Sequence, residues 1–444
     1  MHTATLDADL LVIGWGKGGK TLAAQAARAG RRVVMVERDP GMVGGACINV
    51  ACVPTKVLVH EASERRPDDD DHAYLAAAVE RRDTLVARLN AANEAMLADL
   101  DGVTIVMGAA SFVGERRVAV TAAGERLEIT AEHVVVNTGT RPRPLAVPGG
   151  DLPHVHDSTS LQHAALPERL AIVGAGPIGL EFADMFARFG AQVTVLSRDP
   201  LLAREDDDVA ASVRAALTDC GVKIVEGVDI EEVTPAVVRT TGGEFPADAV
   251  LAAIGRVPVV PDGLDAAGID VDERGFIVVD DQLRTTASGV WAVGDVNGGP
   301  QFTYISHDDH RIVAAQLLGD GGHSRADRVA VPTTTFTTPP LARVGLSERD
   351  AREQGRAIVV HAAKVADIAV MPRPKAVGQT HGIVKFVVDA DTDQVLGCAW
   401  HGVDAQEVIN LVALAMRARV PATELRDGIW IHLSSTEALN GVLA

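Results

Sequence analysis

A glycine pattern that occurs twice in the chain is the feature that most constrains its fold. Each copy reads Gly-X-Gly-X-X-Gly, follows an apolar run typical of a buried strand and opens a stretch with helical periodicity. The first glycine permits a tight turn, the second lets a pyrophosphate approach the backbone, and the start of the helix offers N–H donors. Both copies therefore predict βαβ units that bind dinucleotides. The six glycines are Gly14, Gly16 and Gly19 in the first unit and Gly174, Gly176 and Gly179 in the second.

Apolar runs and helical periodicity predict further elements around the two units. The pattern changes after residue 330, where a separate α+β domain is expected. The predicted fold class is α/β, with two Rossmann-like nucleotide-binding domains. The predicted segments are strands at 9–13, 32–36, 170–173, 192–196 and 383–388, β-rich stretches at 103–136 and 222–254, helices that end near residues 29 and 189, and helices at about 72–100, 305–318 and 405–419.

Composition excludes several classes of protein. The chain has 444 residues, of which 47% are hydrophobic and 23% charged, so several compact domains are expected. A formal net charge of -19 disfavours nucleic acid and acidic membranes as partners. No apolar run reaches the ~18 residues that cross a membrane, and Asp7 and Asp9 stand where a signal peptide would be basic or apolar. A cytoplasmic protein with no nucleic-acid or membrane partner is predicted.

The residue at the end of the second strand distinguishes the two units. Counting 23 positions from the first glycine gives Glu37 in the first unit and Ser197 in the second. The carboxylate of Glu37 can accept both hydroxyls of an adenosine ribose, whereas Ser197 followed by Arg198 leaves room and positive charge for a 2′-phosphate. The first unit is therefore predicted to bind FAD and the second NADPH. NADH stays open, because Arg198 could equally be a solvated surface residue.

Two of the four cysteines, Cys47 and Cys52, lie close together in the segment Gly-Gly-Ala-Cys-Ile-Asn-Val-Ala-Cys-Val-Pro-Thr-Lys. A zinc site would need a second pair with similar spacing, which does not follow. Near a helix start, a small change in the backbone can join the two sulfurs, and the helix dipole and Lys56 are expected to lower a thiolate pKa. The pair predicts dithiol chemistry. Cys220 and Cys398 stand alone and are predicted to be buried small hydrophobes.

The cysteine segment resembles the active-site helix of the class I pyridine nucleotide-disulfide oxidoreductases, a family that includes dihydrolipoamide dehydrogenase, glutathione reductase and mercuric reductase. The resemblance covers essentially the whole chain. The segments GKGGKTLA, CVPTKVLVHEA, QFTYISHDDHRIV and TPPLARVGLSE are most similar to the RclA-type reactive-chlorine-resistance flavoproteins. The family architecture implies an FAD-binding domain at 1–147 that returns at 265–325, an NAD(P)H-binding domain at 148–264 and a dimerisation domain at 326–444.

The resemblance also implies a role for each residue of the site. Cys52 is expected beside the flavin, and Cys47 is expected to be the interchange thiol that meets the substrate. Lys56 and Glu181 are expected to form an ion pair beside the isoalloxazine ring. The further cofactor contacts implied by the family are Thr138 and Gly139 near the phosphates of FAD, and Gly294 and Asp295 at its ribityl chain.

Near the C-terminus, His432 and Glu437 resemble the His and Glu pair of the family, in which the histidine is the acid/base for the interchange thiol and the glutamate orients it. In the family this histidine comes from the partner subunit, so the match implies a homodimer with shared active sites. Leu433 stands where the family usually has proline, which makes the position of His432 a point to test. Pro177 stands where glutathione-reductase-like members carry a tyrosine over the flavin, which implies a less covered nicotinamide pocket.

The run His307-Asp308-Asp309-His310 resembles a metal-ligand cluster, because residues three apart share a helix face. In the family, however, this helix points its N-terminus at the flavin, where its dipole stabilises the reduced ring without a metal. No metal site is therefore predicted. The sequence ends in Asn-Gly-Val-Leu-Ala, without the C-terminal cysteine pair of mercuric reductases, and mercury is not expected as a substrate.

The predicted function is that of an NAD(P)H-dependent flavoprotein disulfide oxidoreductase. Electrons would pass from NAD(P)H through FAD to the disulfide of Cys47 and Cys52, and the Cys47 thiolate would attack an oxidised small substrate. The resemblance to the RclA type implies a reactive oxidant such as hypothiocyanous acid, or Cu(II). One alternative is a reductase of a low-molecular-weight disulfide or of lipoamide. An alternative of another class is a flavin-bound redox sensor, which would not need the second nucleotide unit.

Overall fold

The computed structural model describes residues 4–122, 125–319 and 321–444, which form two compact units. One unit comprises the chain up to residue 57 together with 79–143 and 255–327, and the other comprises 58–78, 144–254 and 328–444. Each contains sheets and helices in alternation, so the predicted α/β class is confirmed. The domain boundaries predicted at residues 147, 264 and 325 stay a prediction.

A seven-stranded sheet organises the first unit. Its central strand, Ala4–Ile13, pairs in parallel with a strand on each side. Because successive side chains of a strand point to opposite faces, Leu10 and Val12 enter one core while Leu11 and Ile13 enter another. Both faces are thus buried, and nucleotides in such sheets bind at the carboxyl ends of the strands. The strand order is Val103–Met107, Val33–Glu37, Ala4–Ile13, Glu125–Val136, Arg117–Ala122 and Ala109–Gly114, and Val290–Ala292 also pairs with Glu125–Val136.

The helix Lys17–Arg28, here called the first glycine helix, covers one face of this sheet. Its buried residues Leu22, Ala23 and Ala26 recur at helical spacing, so one side of the helix is apolar. The helix Thr303–Leu318 contacts its N-terminus, where the backbone N–H of Gly18 donates to Ser306 Oγ at 3.0 Å. The glycine turn is therefore held by a helix that lies nearly three hundred residues later in the chain.

The second unit contains a five-stranded parallel sheet around the second glycine turn. Arg169–Val173 is the strand before the turn, and Pro177–Arg188, here called the second glycine helix, follows it. Proline at the first helical position is favourable, since that residue needs no N–H donor. The strand order is Lys223–Glu226, Gln192–Ser197, Arg169–Val173, Ala249–Ala252 and Val155–His156, with a separate antiparallel sheet of Ile230–Val233, Val237–Thr240 and Gly243–Pro246.

The C-terminal part of the second unit is an antiparallel sheet covered by helices. Its core includes the buried aromatic residues Phe386 and Trp400, which face each other edge to face with ring centroids 6.4 Å apart. This is the α+β domain predicted after residue 330. The strand order is Thr333–Thr335, Leu341–Gly345, Val395–His401, Ile383–Asp389 and Ile358–Lys364.

Most helix bounds differ by only a few residues from those predicted. The helix predicted at 72–100 spans Asp71–Ala98, and the one predicted at 305–318 spans Thr303–Leu318. Among the residues that the structure describes, no helix is both long and apolar enough to cross a membrane. The remaining α-helices are Ala46–Asn49, Cys52–Glu64, Asp207–Asp219, Leu264–Ala267, Glu348–Glu353, Arg373–Ala376, Ala405–Arg417, Ala422–Arg426 and Ala438–Val442, and a short strand pair joins Thr140–Pro142 to Arg256–Pro258.

Candidate active site

The first glycine turn is closely surrounded by the protein. A Cβ on Gly16 would lie 2.6 Å from Asn137 Oδ1, and the N–H of Gly19 donates to the same oxygen at 2.8 Å. Glu37 fastens the turn to the end of its strand, because its Oε2 accepts from the N–H of Trp15 at 3.0 Å. A side chain at position 16 would have to displace the side chain of Asn137, which is held by its bonds to Gly19 and to the carbonyl of Val293. Asn137 was not among the predicted site residues, since nothing in its sequence context separates it from any other polar residue at the end of a strand.

Several polar groups gather at the carboxyl ends of the strands in the first unit. Thr138 Oγ1 is buried without a hydrogen-bond partner among the described residues. Asp295 Oδ2 accepts from Thr140 Oγ1 at 3.0 Å, and burial raises the pKa of the Asp295 carboxyl above its usual value. Gly139 and Gly294 lie at the same edge of the sheet, where the backbone turns with positive φ angles of 69° and 73°. An unsatisfied hydroxyl and a buried carboxyl fit a polar ligand such as a dinucleotide.

The two cysteines lie on either side of a helix start. Cys47 is in the short helix Ala46–Asn49, and Cys52 is the first residue of the helix Cys52–Glu64. No disulfide joins them; Cys52 is exposed, Cys47 is half-buried, and the two thiols share a hydrogen bond. In the structure, the two cysteines therefore lie near a helix start, as their sequence context predicted.

The loop that carries the cysteines rests on the first glycine turn. A Cβ on Gly45, which has a φ angle of 84°, would lie 2.8 Å from Gly16 Cα. No side chain fits between these two backbones, and an L-residue at this φ would also be strained. The close approach puts the cysteine pair beside the place where a dinucleotide would meet the first glycine helix.

The electrostatics of Cys47 differ from those expected. We expected a lowered thiolate pKa near the helix start and Lys56. The pKa of Cys47 is instead raised above its usual value, first by the hydrogen bond with Cys52 and then by burial. A hydrogen bond from Thr303 and the charge of Lys20 act in the opposite direction. The sequence does not reveal burial or the contact between the two thiols, and these are the larger effects.

Thr303 and Tyr304 are residues near Cys52 that sequence reasoning did not select. Thr303 Oγ1 lies 3.5 Å from Cys52 Sγ, and burial together with the negative charge of Cys52 raises the pKa of Tyr304 to about 12. Tyr304 also stacks on Phe302, with ring centroids 5.1 Å apart. The signal was present in the segment QFTYISHDDHRIV, where a hydroxyl pair opens a helix.

The second glycine turn is open where the first is covered. A Cβ on Gly176 would meet no described protein atom within 4 Å, so a pyrophosphate has room to approach. Ser197 Oγ donates to the carbonyl of Asp199 at 2.7 Å, and the Arg198 side chain is 73% exposed. The hydroxyl predicted to face a ribose is thus used within its own loop, while the guanidinium is accessible to a phosphate.

Glu181 lies on the second glycine helix and is 5% exposed. Its Oε1 accepts from the N–H of Phe336 at 2.9 Å. Lys56 is half-buried on the helix that begins at Cys52, one turn after that cysteine. The ion pair between Lys56 and Glu181 stays a prediction.

His432 and Glu437 form the predicted pair. His432 Nδ1 donates to Glu437 Oε1 at 2.8 Å, and this bond lowers the pKa of Glu437 below its usual value. Leu433 adopts a φ angle of 66° and donates its N–H to Glu437 Oε2 at 2.8 Å. Proline has neither that N–H nor that φ. The leucine therefore supplies a hydrogen bond that the proline of the family cannot make. The pair of His432 and Glu437 thus forms without a proline at position 433.

The rings of His307 and His310 have centroids 4.5 Å apart and planes tilted by 36°, and burial lowers the pKa of each. His310 Nδ1 contacts the carbonyl of His307, which directs that nitrogen inward. Within the described ranges, no group of three or more His, Cys, Asp or Glu side chains has an arrangement that could hold a metal ion.

Of the two remaining cysteines, Cys398 is buried as predicted, but Cys220 is only half-buried because it caps the C-terminus of the helix Asp207–Asp219.

Two dinucleotide-binding turns and a dithiol beside the first of them define a dinucleotide-dependent oxidoreductase. Residues 8–309 match the family described as pyridine nucleotide-disulphide oxidoreductase, and residues 331–442 match the dimerisation domain of that family. The chain belongs to this family and is an enzyme. The family and the flavoproteins in it imply a flavin and a pyridine nucleotide as cofactors.

Relatives of this chain include the RclA type named from the sequence. The chain is 42% identical to the probable pyridine nucleotide-disulfide oxidoreductase RclA of Escherichia coli strain K12, over 98% of both chains. It is 32% identical to the mercuric reductase of Acidithiobacillus ferrooxidans, over 97% of this chain and 81% of that one. A solved Cu(II) complex of the HOCl-induced flavoprotein disulfide reductase RclA from Escherichia coli matches with a TM-score of 0.93 at 40% identity, over 100% of this chain and 99% of that one. The predicted family resemblance is confirmed.

Proposed function

We propose that this chain is an FAD-dependent NADPH oxidoreductase in which Cys47 and Cys52 form the redox-active pair and Cys47 attacks an oxidised small substrate. The observation that carries the proposal is the close approach of Gly45 to Gly16, with 2.8 Å between a Cβ on the former and Cα of the latter. It puts a pair of thiols directly beside a dinucleotide-binding turn. The predicted cytoplasmic location is part of the same proposal.

FAD fits the first unit. Glu37 would accept one ribose hydroxyl, since a carboxylate has about four acceptor positions and its three backbone donors leave about one of them. Thr138 and Gly139 would lie at the phosphates, and Asp295 beside Gly294 would accept from the ribityl chain. Bound FAD would supply hydride acceptance from a nicotinamide and delivery of two electrons to a disulfide.

NADPH is proposed for the second unit, on the turn formed by Gly174, Gly176 and Gly179. The exposed guanidinium of Arg198 offers charge and hydrogen-bond donors to a 2′-phosphate. Asp199 lies 3.5 Å from the same guanidinium and competes for it, so that the preference over NADH is expected to be moderate.

The two thiols divide the chemistry between them. With hypothiocyanous acid, the Cys47 thiolate attacks the electrophilic sulfur, forms a Cys47–SCN species and releases hydroxide, which takes up a proton as water. The Cys52 thiolate then attacks Cys47 Sγ, forms the disulfide and releases thiocyanate. The oxidant gains two electrons and the dithiol loses two. The hydrogen bond between the two thiols supports this sequence, because it keeps the resolving sulfur beside the attacked one.

His432 is proposed as the acid/base for Cys47 of a partner subunit in a homodimer. Its side chain is 74% exposed, and Glu437 engages Nδ1, which leaves Nε2 for proton transfer. Ile429 and Ile431 beside it are 101% and 81% exposed. Exposed apolar residues around a histidine with a fixed orientation support an interface that a second copy covers.

The test of this function is a steady-state assay of NADPH oxidation with hypothiocyanous acid, Cu(II), low-molecular-weight disulfides and lipoamide as acceptors. We expect hypothiocyanous acid or Cu(II) to give the highest kcat/KM, and Cys47→Ser to lower it at least about a thousandfold. The Cu(II) complex of the RclA relative favours including that ion. Undiminished turnover in Cys47→Ser would disprove the dithiol mechanism, and a preference for disulfides would favour the alternative reductase.

An anaerobic titration with NADPH tests the contact between Cys52 and the flavin. A long-wavelength thiolate-to-flavin band is expected in the wild-type protein and in Cys47→Ser, but not in Cys52→Ser. If NADPH reduces the flavin once without multiple turnovers on any acceptor, the redox-sensor alternative would replace the enzymatic one.

A further inference from the structure

Lys20 is a buried cation that the proposed mechanism does not use. It lies on the first glycine helix and is 6% exposed. Its Nζ donates to the carbonyl of Gly44 at 2.8 Å and to Asn93 Oδ1. Both acceptors are neutral. A buried ammonium with neutral partners is costly, because its charge loses hydration without gaining an opposite charge.

The acceptors of Lys20 belong to the support of the cysteine pair. Gly44 begins the loop that carries Cys47, three residues before it, and has a φ angle of 92°. A Cβ on Gly44 would lie 3.2 Å from the Cβ of Asn93, which comes from the long helix Asp71–Ala98. Lys20 therefore joins the glycine helix, the cysteine loop and the long helix at one point.

The ammonium of Lys20 and the thiol of Cys47 influence each other electrostatically. Burial and, to a smaller extent, the neighbouring Lys17 lower the pKa of Lys20, the negative charge of Cys47 raises it, and the result is a pKa of about 8. The reverse effect is also present, since Lys20 lowers the pKa of Cys47. The charged and titratable groups that face this ammonium are thus Lys17 on its own helix and Cys47 on the loop. No carboxylate among the described residues hydrogen-bonds to it.

We propose that Lys20 is a positioning residue for Cys47: its ammonium group holds the carbonyl of Gly44 and supplies the positive charge that favours the thiolate form of the interchange cysteine. Two influences disfavour that thiolate, the hydrogen bond with Cys52 and burial, and two favour it, Thr303 and Lys20. Of these four, only Lys20 is a full positive charge. The proposal rests on the proposed function, in which the Cys47 thiolate is the attacking group.

The test is the pH dependence of the alkylation of Cys47 in the full-length, flavin-loaded protein after reduction with dithiothreitol. Iodoacetamide reacts with the thiolate, and fragment-ion mass spectrometry, which separates the label on Cys47 from that on Cys52 in the same peptide, gives the rate at Cys47. We expect Lys20→Met to lower the alkylation rate at pH 7 by about tenfold and to move the profile to higher pH, as loss of one nearby charge would. Arg28→Met removes the same charge from the exposed end of the same helix and should match the wild type.

A second variant separates charge from shape. Asn93→Asp keeps Lys20 and an acceptor oxygen for it but sets a negative charge against the ammonium. If Lys20 acts through its charge, Asn93→Asp should slow the alkylation of Cys47 about threefold and shift the profile in the same direction. Should Lys20→Met fail to fold, Lys20→Gln decides the question, because it keeps a donor for the carbonyl of Gly44 but carries no charge and should slow the alkylation as Lys20→Met does. Lys20→Arg keeps the charge and should retain most of the rate.

The proposal is overturned if Lys20→Met and Arg28→Met give the same profile, or if Asn93→Asp matches the wild type. Alkylation needs neither NADPH nor a substrate, so its outcome is independent of turnover. Undiminished turnover in Cys47→Ser would disprove the proposed function. The alkylation of Cys47 in the wild type and in Lys20→Met would still show whether Lys20 affects the thiolate. The two failures are therefore distinguishable.

Discussion

The two glycine turns have the same sequence pattern but opposite surroundings. A Cβ at Gly16 would collide with Asn137, and the cysteine loop lies directly on that turn, whereas a Cβ at Gly176 would have no atom of the described residues within 4 Å. The acidic residue of the first turn, Glu37, is 8% exposed, while Arg198 of the second is 73% exposed. A covered turn suits a cofactor that stays bound through many cycles. An open turn suits a nucleotide that enters and leaves in each cycle.

Gly45→Ala tests the covered turn and should have the largest effect. The new methyl group would lie 2.8 Å from Gly16 Cα, at a φ of 84°, so the cysteine loop must move away from the turn. We expect loss of most bound flavin and a fall in kcat/KM of at least about a hundredfold, since small displacements of reacting groups are this costly. The measurements are the flavin absorbance after gel filtration and steady-state rates.

Gly30→Ala is the matched control for this variant. Gly30 has a similar φ of 80°, but a Cβ there would meet no atom within 4 Å in the part of the chain that the structure describes. It should carry the conformational strain, about 1 kcal/mol, without the collision, and keep its flavin. Full flavin content and activity in Gly45→Ala would show that the first turn is not covered in the way described.

Gly176→Val tests the open turn and should affect binding without affecting folding. The valine would project into the space that a pyrophosphate needs, where its Cβ would have no atom of the described residues within 4 Å. We expect KM for NADPH to rise about thirtyfold, the equivalent of about 2 kcal/mol, with an unchanged Tm. The same substitution at Gly16 would collide with Asn137 and should lower Tm. An equal fall of Tm in both variants would remove the contrast between the turns.

Arg198→Ala tests the nucleotide preference of the open turn. Loss of the exposed guanidinium should lower kcat/KM for NADPH about tenfold and leave that for NADH nearly unchanged, because only NADPH carries the 2′-phosphate. Arg204→Ala is a suitable control, as it removes the same charge from another exposed position of this unit. Equal losses with both nucleotides would mean that Arg198 does not contact the 2′-phosphate.

The elements of the nucleotide-binding units could be predicted because their signals are local. Apolar strands, glycine turns and helical periodicity lie within windows of about fifteen residues, and most strand and helix ends agree within a few positions. The first strand was predicted from residue 9 but begins at Ala4. The segment Ala4–Asp7 is mostly exposed, and it pairs with a strand more than a hundred residues away. A strand segment held by such distant pairing has no apolar run in the sequence from which it could be predicted.

The parts of the site that could not be predicted depend on contacts between distant segments. Asn137 contacts the first glycine turn, Thr303 contacts Cys52, and Lys20 reaches Gly44, but each is an ordinary polar residue in its own neighbourhood. The raised pKa of Cys47 could not be predicted for the same reason, since a helix start is visible in the sequence, whereas burial and the hydrogen bond with Cys52 are not. Leu433 is a different case. It departs from the family pattern and was expected to disturb the pair of His432 and Glu437, but the pair is present in the structure.

The smallest expected effect contrasts the buried cation of the first unit with the exposed one of the second. Burial lowers the pKa of Lys20 from 10.5 to about 8 in the folded protein, so between these values the unfolded chain binds more protons than the folded one. Stability must then rise with pH through this window, and it is lost again as pH falls through about 8. Measured by urea unfolding against Lys20→Met, the wild type should gain about 1 kcal/mol between pH 7 and 9. Arg198→Ala should show no such pH dependence, because an exposed guanidinium stays charged in both states. If the difference in unfolding free energy between the wild type and Lys20→Met did not change with pH, water would reach the ammonium. The first glycine turn would then be more hydrated than its packing implies.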